Sequence, residues 1–209
     1  SITDTTEHDQ HLQVHDNVEG FRQLLEFAAG DQIPVVYASS AATYGIASGV
    51  NREDDRPAPA NVYAFSKVQL DNLARRFARR QPAWKIVGLR YFNVYGPREA
   101  HKKAAASMIF QLYLQMKAGK RPRVFRAGEQ RRDFVYVKDV VSLTLAALGA
   151  PKSMILNCGC GQAFSFNEVI AALNAALGTA LEPDYFENPY AFYQPHTEAD
   201  MTKARTELG

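Results

Sequence analysis

An α/β fold with a parallel sheet and crossover helices is what this sequence predicts, and three observations carry the prediction. Short, nearly continuous apolar runs alternate with stretches whose apolar residues repeat at helical spacing. The runs are rich in β-branched residues, as strands covered on both faces are. Each is followed by small, polar or turn-forming residues, at 39–45, 93–101 and 157–161. In open parallel sheets, ligands sit beyond the carboxyl ends of the strands, so those three places are where function is expected.

The first element is a helix over His15–Gly30, with Val18, Phe21, Leu24, Leu25 and Ala28 on one stripe and Gly30 as its stop. Ile33–Ala38 follows as a strand and gives way to Ser39, Ser40, Ala41, Ala42, Thr43, Tyr44 and Gly45. A charged, proline-rich loop (Asn51–Pro59) leads to a second helix, whose Leu70, Leu73, Ala74 and Phe77 form the apolar stripe that Arg75, Arg76, Arg79 and Arg80 largely avoid. Lys85–Tyr91 is its partner strand. Beyond the Gly96–Pro97 turn come a helix over Ala104–Ala118, a basic stretch, and a helix over Asp139–Leu148. A strand at Met154–Asn157 and a helix at Ser165–Leu177 complete the alternation; Gly159 and Gly161 read as a tight strand-to-helix turn.

Composition excludes several function classes. The chain has 209 residues, 46% hydrophobic and 22% charged, which is ordinary globular usage rather than disordered, collagenous or coiled-coil. A net charge of +2 demands neither nucleic acid nor a membrane surface as partner. No apolar run approaches the roughly 18 residues of a membrane span. The two cysteines, Cys158 and Cys160, are too close for a favourable disulfide and have no histidine near enough to complete a metal site, so they read as reduced thiols. His8, His11 and His15 would share one face of a helix, but helical periodicity before Asn17 is weak; solvated imidazoles are expected and no metal. Arg121, Arg123, Arg126, Arg131 and Arg132 lack the interleaved aromatics of a single-strand binder, so anion binding by one or two of them is the better reading.

The chemistry-bearing pair is Tyr63 and Lys67. Four residues apart, they share a helix face, and an ammonium beside a phenol favours the phenolate and lowers a pKa that is ordinarily near 10. Tyr63 could then take a proton from a hydroxyl. Tyr113 and Lys117 repeat the spacing, so spacing alone is weak evidence. What sets Tyr63 apart is the Ser39–Ser40 strand end 23 residues before it, which a parallel crossover brings close.

The segments ASSAATYG (38–45), NVYAFSK (61–67), RYFNVYGPREAHK (90–102) and RRDFVYVKDV (131–140) resemble the extended short-chain dehydrogenase/reductase family over nearly the whole chain. Within it, Arg98, Glu99, His101 and Lys102 are most similar to the 6-epimerases of ADP-glycero-manno-heptose. The resemblance implies a Rossmann-like doubly wound sheet, of which this is the second half, over 1–95 and 130–160. A smaller α+β lobe for the nucleotide sugar would occupy 96–129 and 161–209. It further implies NADP, with NAD possible, and epimerisation by oxidation at C6 to a ketone and reduction on the other face, in lipopolysaccharide core synthesis.

Tyr63 would be one acid/base and Lys102 the other. Ser40 would bond the reacting oxygen, and Lys67 would tune Tyr63 and hold the nicotinamide ribose. Thr3, Asn17, Val94 and Lys102 would meet the cofactor; Asn93, Ala104, Gln111, Phe125, Arg126, Arg132 and Tyr193 would meet the ADP-heptose. A cytoplasmic homo-oligomer is expected. Some features depart from the family. No GxGxxG occurs among the thirteen glycines, and Ser1 falls at the end of the family's fourth strand. The sequence is therefore expected to be part of a longer protein and to bind NADP poorly alone, with an exposed apolar edge at Ile33–Ala38. Lys103, Ala104 and Gln111 stand where the family usually has Gly, Ser and His, and Asp16 stands where an Asn often contacts the cofactor. Alternatives are another nucleotide-sugar epimerase or dehydratase, or a non-catalytic module that binds nucleotide sugar or a partner chain.

Overall fold

A computed structural model describes residues 9–46, 49–125, 127–187 and 194–209. In chain order the strands are β1 (Val35–Ser40), β2 (Val50–Asn51), β3 (Ile86–Tyr91), β4 (Asn93–Tyr95), β5 (Arg123–Phe125), β6 (Arg131–Tyr136), β7 (Met154–Cys158), β8 (Ala163–Ser165), β9 (Asp184–Phe186) and β10 (His196–Ala199). The α-helices are α1 (Gln10–Gln13), α2 (Gly20–Ala29), α3 (Val62–Arg80), α4 (Met108–Lys117), α5 (Val137–Leu148), α6 (Phe166–Leu177) and α7 (Thr202–Leu208).

The predicted parallel sheet is present in the order β1-β3-β7. Its register levels the three carboxyl ends, since Ser40 pairs with Tyr91 and Tyr91 with Cys158. On one face, Phe21 and Leu25 of α2 and Leu70, Leu73 and Ala74 of α3 pack on Tyr37, Trp84 and Ile86. On the other, Val140 and Ala147 of α5 meet Val87, Leu89 and Leu156. The first helix is longer than its apolar stripe suggested. It begins at Gln10, capped by Asp9, and is widened by a π-helical stretch over Val14–Glu19 before α2. Strand β1 ends two residues later than Ala38, so Ser39 and Ser40 belong to the strand rather than to the loop.

The sequence did not announce the second sheet. Its path is β2-β10-β6-β4, all parallel, with β8 antiparallel to β6. Its strands are short and partly polar, and their pairings span long stretches of sequence, so neither period nor composition marks them. The sheet takes strands from both sides of the expected lobe boundary. Residues 159–161 are a strand-to-strand connection rather than a strand-to-helix turn, because β8, containing Phe164, intervenes before α6. The expected helix over 104–118 divides into a 3₁₀ turn at Ala100–Ala105 and α4, which starts where the Ser107 side chain caps Phe110 N–H. A third core of Leu112, Met116, Val124, Phe134, Phe166, Val169 and Ile170 joins α4 and α6 to the second sheet.

Candidate active site

Helix α3 starts at Asn61, whose side chain accepts Ala64 N–H at 2.7 Å, so Tyr63 and Lys67 occupy its first two turns. Lys67 is 3% exposed and donates to the Ala38 carbonyl of β1 at 3.0 Å, with its ammonium 5.7 Å from the Tyr63 ring centroid. A lysine buried to this degree is bound into the sheet edge rather than solvated. Burial lowers its pKa, partly opposed by the nearby Asp71 carboxylate. Tyr63 departs from expectation: burial raises its pKa, and the opposing influence is a hydrogen bond with Ser40, not Lys67. Ser40 also accepts Ala42 N–H at 3.1 Å, which holds its hydroxyl at the carboxyl end of β1.

Asn17 lies in the π-helical stretch, buried, and donates to Gln13 Oε1 at 2.7 Å and to Ser66 Oγ at 3.0 Å. Ser66 in turn donates to the Tyr63 carbonyl. Asn17 is thus tied to the Tyr63 turn of α3, whereas Asp16 is half-exposed and pairs with His15.

Two residues beyond the level of Ser40, the chain leaves the first sheet through Phe92 and enters the second at Asn93. Asn93 donates to the Asp133 carbonyl and to Thr197 Oγ1, both at 3.2 Å, so it joins β4, β6 and β10 rather than merely forming a turn. It opens a cavity of about 510 Å³ in which Val94, Gln111, Phe125 and Arg132 also stand. Gln111 donates to the Ala106 carbonyl at 2.7 Å. Arg123 lines the same space, stacked 4.6 Å from the Phe186 ring centroid and paired with Asp184 at 3.3 Å. With aromatic walls, amides and two guanidinium groups, the cavity can take a flat base at one part and an anion at another.

Lys102 sits in the 3₁₀ turn, 45% exposed, 4.0 Å from Glu99 Oε2. The backbone of Ala104 lies in the same turn. Thr3, Arg126 and Tyr193 lie outside the described residues, as does His8. His11 and His15 stack with ring centroids 6.3 Å apart, and no cluster of metal-ligating groups occurs among the described residues. Both cysteines are free. Burial pushes the thiol of Cys158 up to about 12 and that of Cys160 up to about 11. Arg131 is committed to Glu168 and the Ala163 carbonyl, and Arg121 to the carbonyls of Glu182 and Pro183.

Sequence reasoning missed two buried carboxylates that shape this region, Asp71 and Asp133, and named a third, Glu99, only for its resemblance, without a structural role. Asp71, one turn beyond Lys67, accepts from Tyr37 at 2.9 Å and from the fully buried Arg90 at 3.0 Å. Asp133 accepts the backbone N–H groups of Cys160, Gly161 and Ala199 at 2.7, 3.0 and 3.1 Å. Gly159 lies so close that a Cβ there would come within 2.6 Å of this carboxylate. Glu99 accepts from Gly96 and Ser107. An acid at the head of an apolar run, as Asp133 is between Arg132 and Phe134, was the available signal.

Comparison with known proteins agrees with this architecture. The chain is 40% identical over 212 residues to an ADP-L-glycero-D-manno-heptose-6-epimerase of Brachyspira hyodysenteriae, covering 98% of this chain and 66% of that protein. The crystal structure of the Helicobacter pylori ADP-L-glycero-D-manno-heptose-6-epimerase superposes with a TM-score of 0.90 at 38% identity, over 100% of this chain and 64% of the other. A Bacillus cereus UDP-glucuronic acid 4-epimerase, in complex with UDP-glucuronic acid and NAD, gives 0.78 at 29% identity, over 93% and 62%. The chain thus spans just under two thirds of the length of these relatives. The model of the NAD dependent epimerase/dehydratase family matches residues 2–159, and the chain belongs to that family.

Proposed function

We propose that the protein carrying this chain inverts C6 of ADP-glycero-manno-heptose, using NADP and internal oxidation and reduction. The observation that carries the reading is the levelling of strand ends that sets Tyr63, Ser40 and buried Lys67 at the sheet's carboxyl edge, two residues of chain from the cavity that Asn93 opens. The choice of a heptose rests on the 40% identity to a heptose epimerase.

The residues suit the nicotinamide end of a dinucleotide: Lys67 is a buried cation at the strand ends, and Val94 offers an apolar wall. A bound NADP would supply the acceptor and donor of the hydride at C6. Tyr63 takes the proton of the C6 hydroxyl in the oxidising direction, and Ser40 bonds the same oxygen. Burial keeps the phenol protonated at rest. Bringing it to the phenolate is the task of the Ser40 hydrogen bond, the influence that opposes burial. Return of the hydride to the opposite face needs a proton donor on the other side, which is the role assigned to Lys102. Phe125, Arg126, Arg132 and Tyr193 hold the ADP portion, where a guanidinium fork matches a diphosphate.

The test is to incubate the complete protein with the nucleotide sugar and NADP in deuterated water and follow C6 by NMR. Inversion without deuterium at C6 is expected, because the hydrogen returns as hydride. Tyr63→Phe and Lys102→Met should each lower turnover by about 10²- to 10⁴-fold with the fold intact. Deuterium incorporation at C6, or wild-type rates in both variants, would refute the reading.

A further inference from the structure

Glu99 is 5% exposed, and its carboxylate gathers both ends of the segment 96–107. Oε1 accepts Gly96 N–H at 3.0 Å and the Ser107 hydroxyl at 2.9 Å. Oε2 accepts Ser107 N–H at 2.7 Å and lies 4.0 Å from Lys102 Nζ. Bonds to an ionised carboxylate are stronger than those between neutral groups, so this one side chain closes the loop. The Ser107 hydroxyl that donates to Glu99 accepts Phe110 N–H at 3.2 Å and thereby caps α4, the helix that brings Met108 and Gln111 to the cavity.

The enclosed segment is not relaxed. Arg98 has φ +70° and Lys103 φ +50°, two of the three non-glycine residues with positive φ among the described residues. Such conformations persist only where surrounding interactions outweigh their cost, and they cluster at functional sites. A buried carboxylate spent on holding a strained exposed turn in one shape has a purpose beyond packing. The turn carries Lys102.

We infer that Glu99 is a positioning residue, which fixes where Lys102 is presented. The inference rests on the acid/base role proposed for Lys102. It adds the device that orders the loop. In Glu99→Gln the side chain keeps its size, but one oxygen becomes an NH₂ facing a backbone N–H, so one end of the loop is released.

The experiment is a double-mutant cycle in the complete protein with Glu99→Gln and Lys102→Gln, product being accumulated long enough to read rates about 10⁴-fold below wild type. Glu99→Gln alone should lower kcat about 10- to 100-fold, as misplacement by about 1 Å does, while KM for the nucleotide sugar changes less than about 3-fold. In the Lys102→Gln background the same change should cost less than about 2-fold, because the residue it positions is gone. A full loss repeated in that background, or unchanged kcat in the single variant, overturns the inference while leaving the role of Lys102 standing. Wild-type turnover in Lys102→Gln overturns both. Glu99→Asp, which keeps the charge but is one methylene too short to reach both ends, should give an intermediate loss of kcat and serves as the reading if the Gln variant fails to fold; wild-type kcat in it overturns the inference.

Discussion

Lys103 stands at φ +50°, ψ −121°, where a Cβ crowds its own backbone and glycine alone is at ease. Holding a non-glycine residue there costs about 1–3 kcal/mol. Lys103→Gly removes that cost. It also gives the unfolded chain more freedom, which returns roughly 0.5–1 kcal/mol to the unfolded state. The side chain is exposed, so little packing is forfeited. At mid-range values, about 2 against about 0.75 kcal/mol, the balance is a stabilisation of about 1 kcal/mol. For a chain of 209 residues that corresponds to a rise in Tm of roughly 2–4 °C. Urea denaturation should show a higher midpoint with an unchanged slope. Lys103→Ala is the control, since it removes the same amine but keeps the Cβ, and it should not stabilise. Equal stabilisation by both variants, or a lower midpoint for the glycine variant, would refute the reasoning. The resembling family carries glycine at this place, which fits a backbone requirement.

Two further outcomes can be checked by denaturation. Asp133→Asn puts an NH₂ among three backbone N–H donors at a fully buried position and should cost about 3 kcal/mol, read as a lowered urea midpoint. For Glu99, burial pushes the carboxyl up, but the N–H groups of Ser107 and Gly96, the Ser107 hydroxyl and Lys102 together hold it below its ordinary value. A folded-state pKa lowered in this way contributes stability that is complete above the unfolded value of about 4.3 and is lost as pH falls through the folded one. Below about pH 4.3, Glu99→Gln should therefore lose stability less steeply with acid than the wild type. Parallel acid limbs in the two proteins would contradict the sign.

Tyr63–Lys67 and Tyr113–Lys117 show how much of the site was legible. The α-helix sets both pairs alike, with ammonium-to-ring distances of 5.7 and 5.6 Å. What separates them is burial and partner: Lys67 is sealed against the Ala38 carbonyl, while Lys117 is exposed. The strand-end argument singled out the pair that the fold sets at the sheet edge, although the influence opposing burial at Tyr63 is Ser40 rather than Lys67. Asn93, Val94, Gln111, Phe125 and Arg132, named from family resemblance, converge on one cavity although they lie up to 39 positions apart. Spacing could not have united them, because β4 and β5 reach that cavity by long-range pairing with β6 and β9.

The amino-acid sequence by itself determined the alternation of elements, the first sheet and the candidate residues at its carboxyl edge, because apolar period and capping act over a few neighbouring residues. Tertiary structure alone decided the second sheet, the closure of the 96–107 loop by Glu99 and the commitments of Asp71 and Asp133. The physical reason is that a short strand or a buried carboxylate is stabilised only by groups distant in sequence. Local pattern carries no record of those groups until the chain has folded around them.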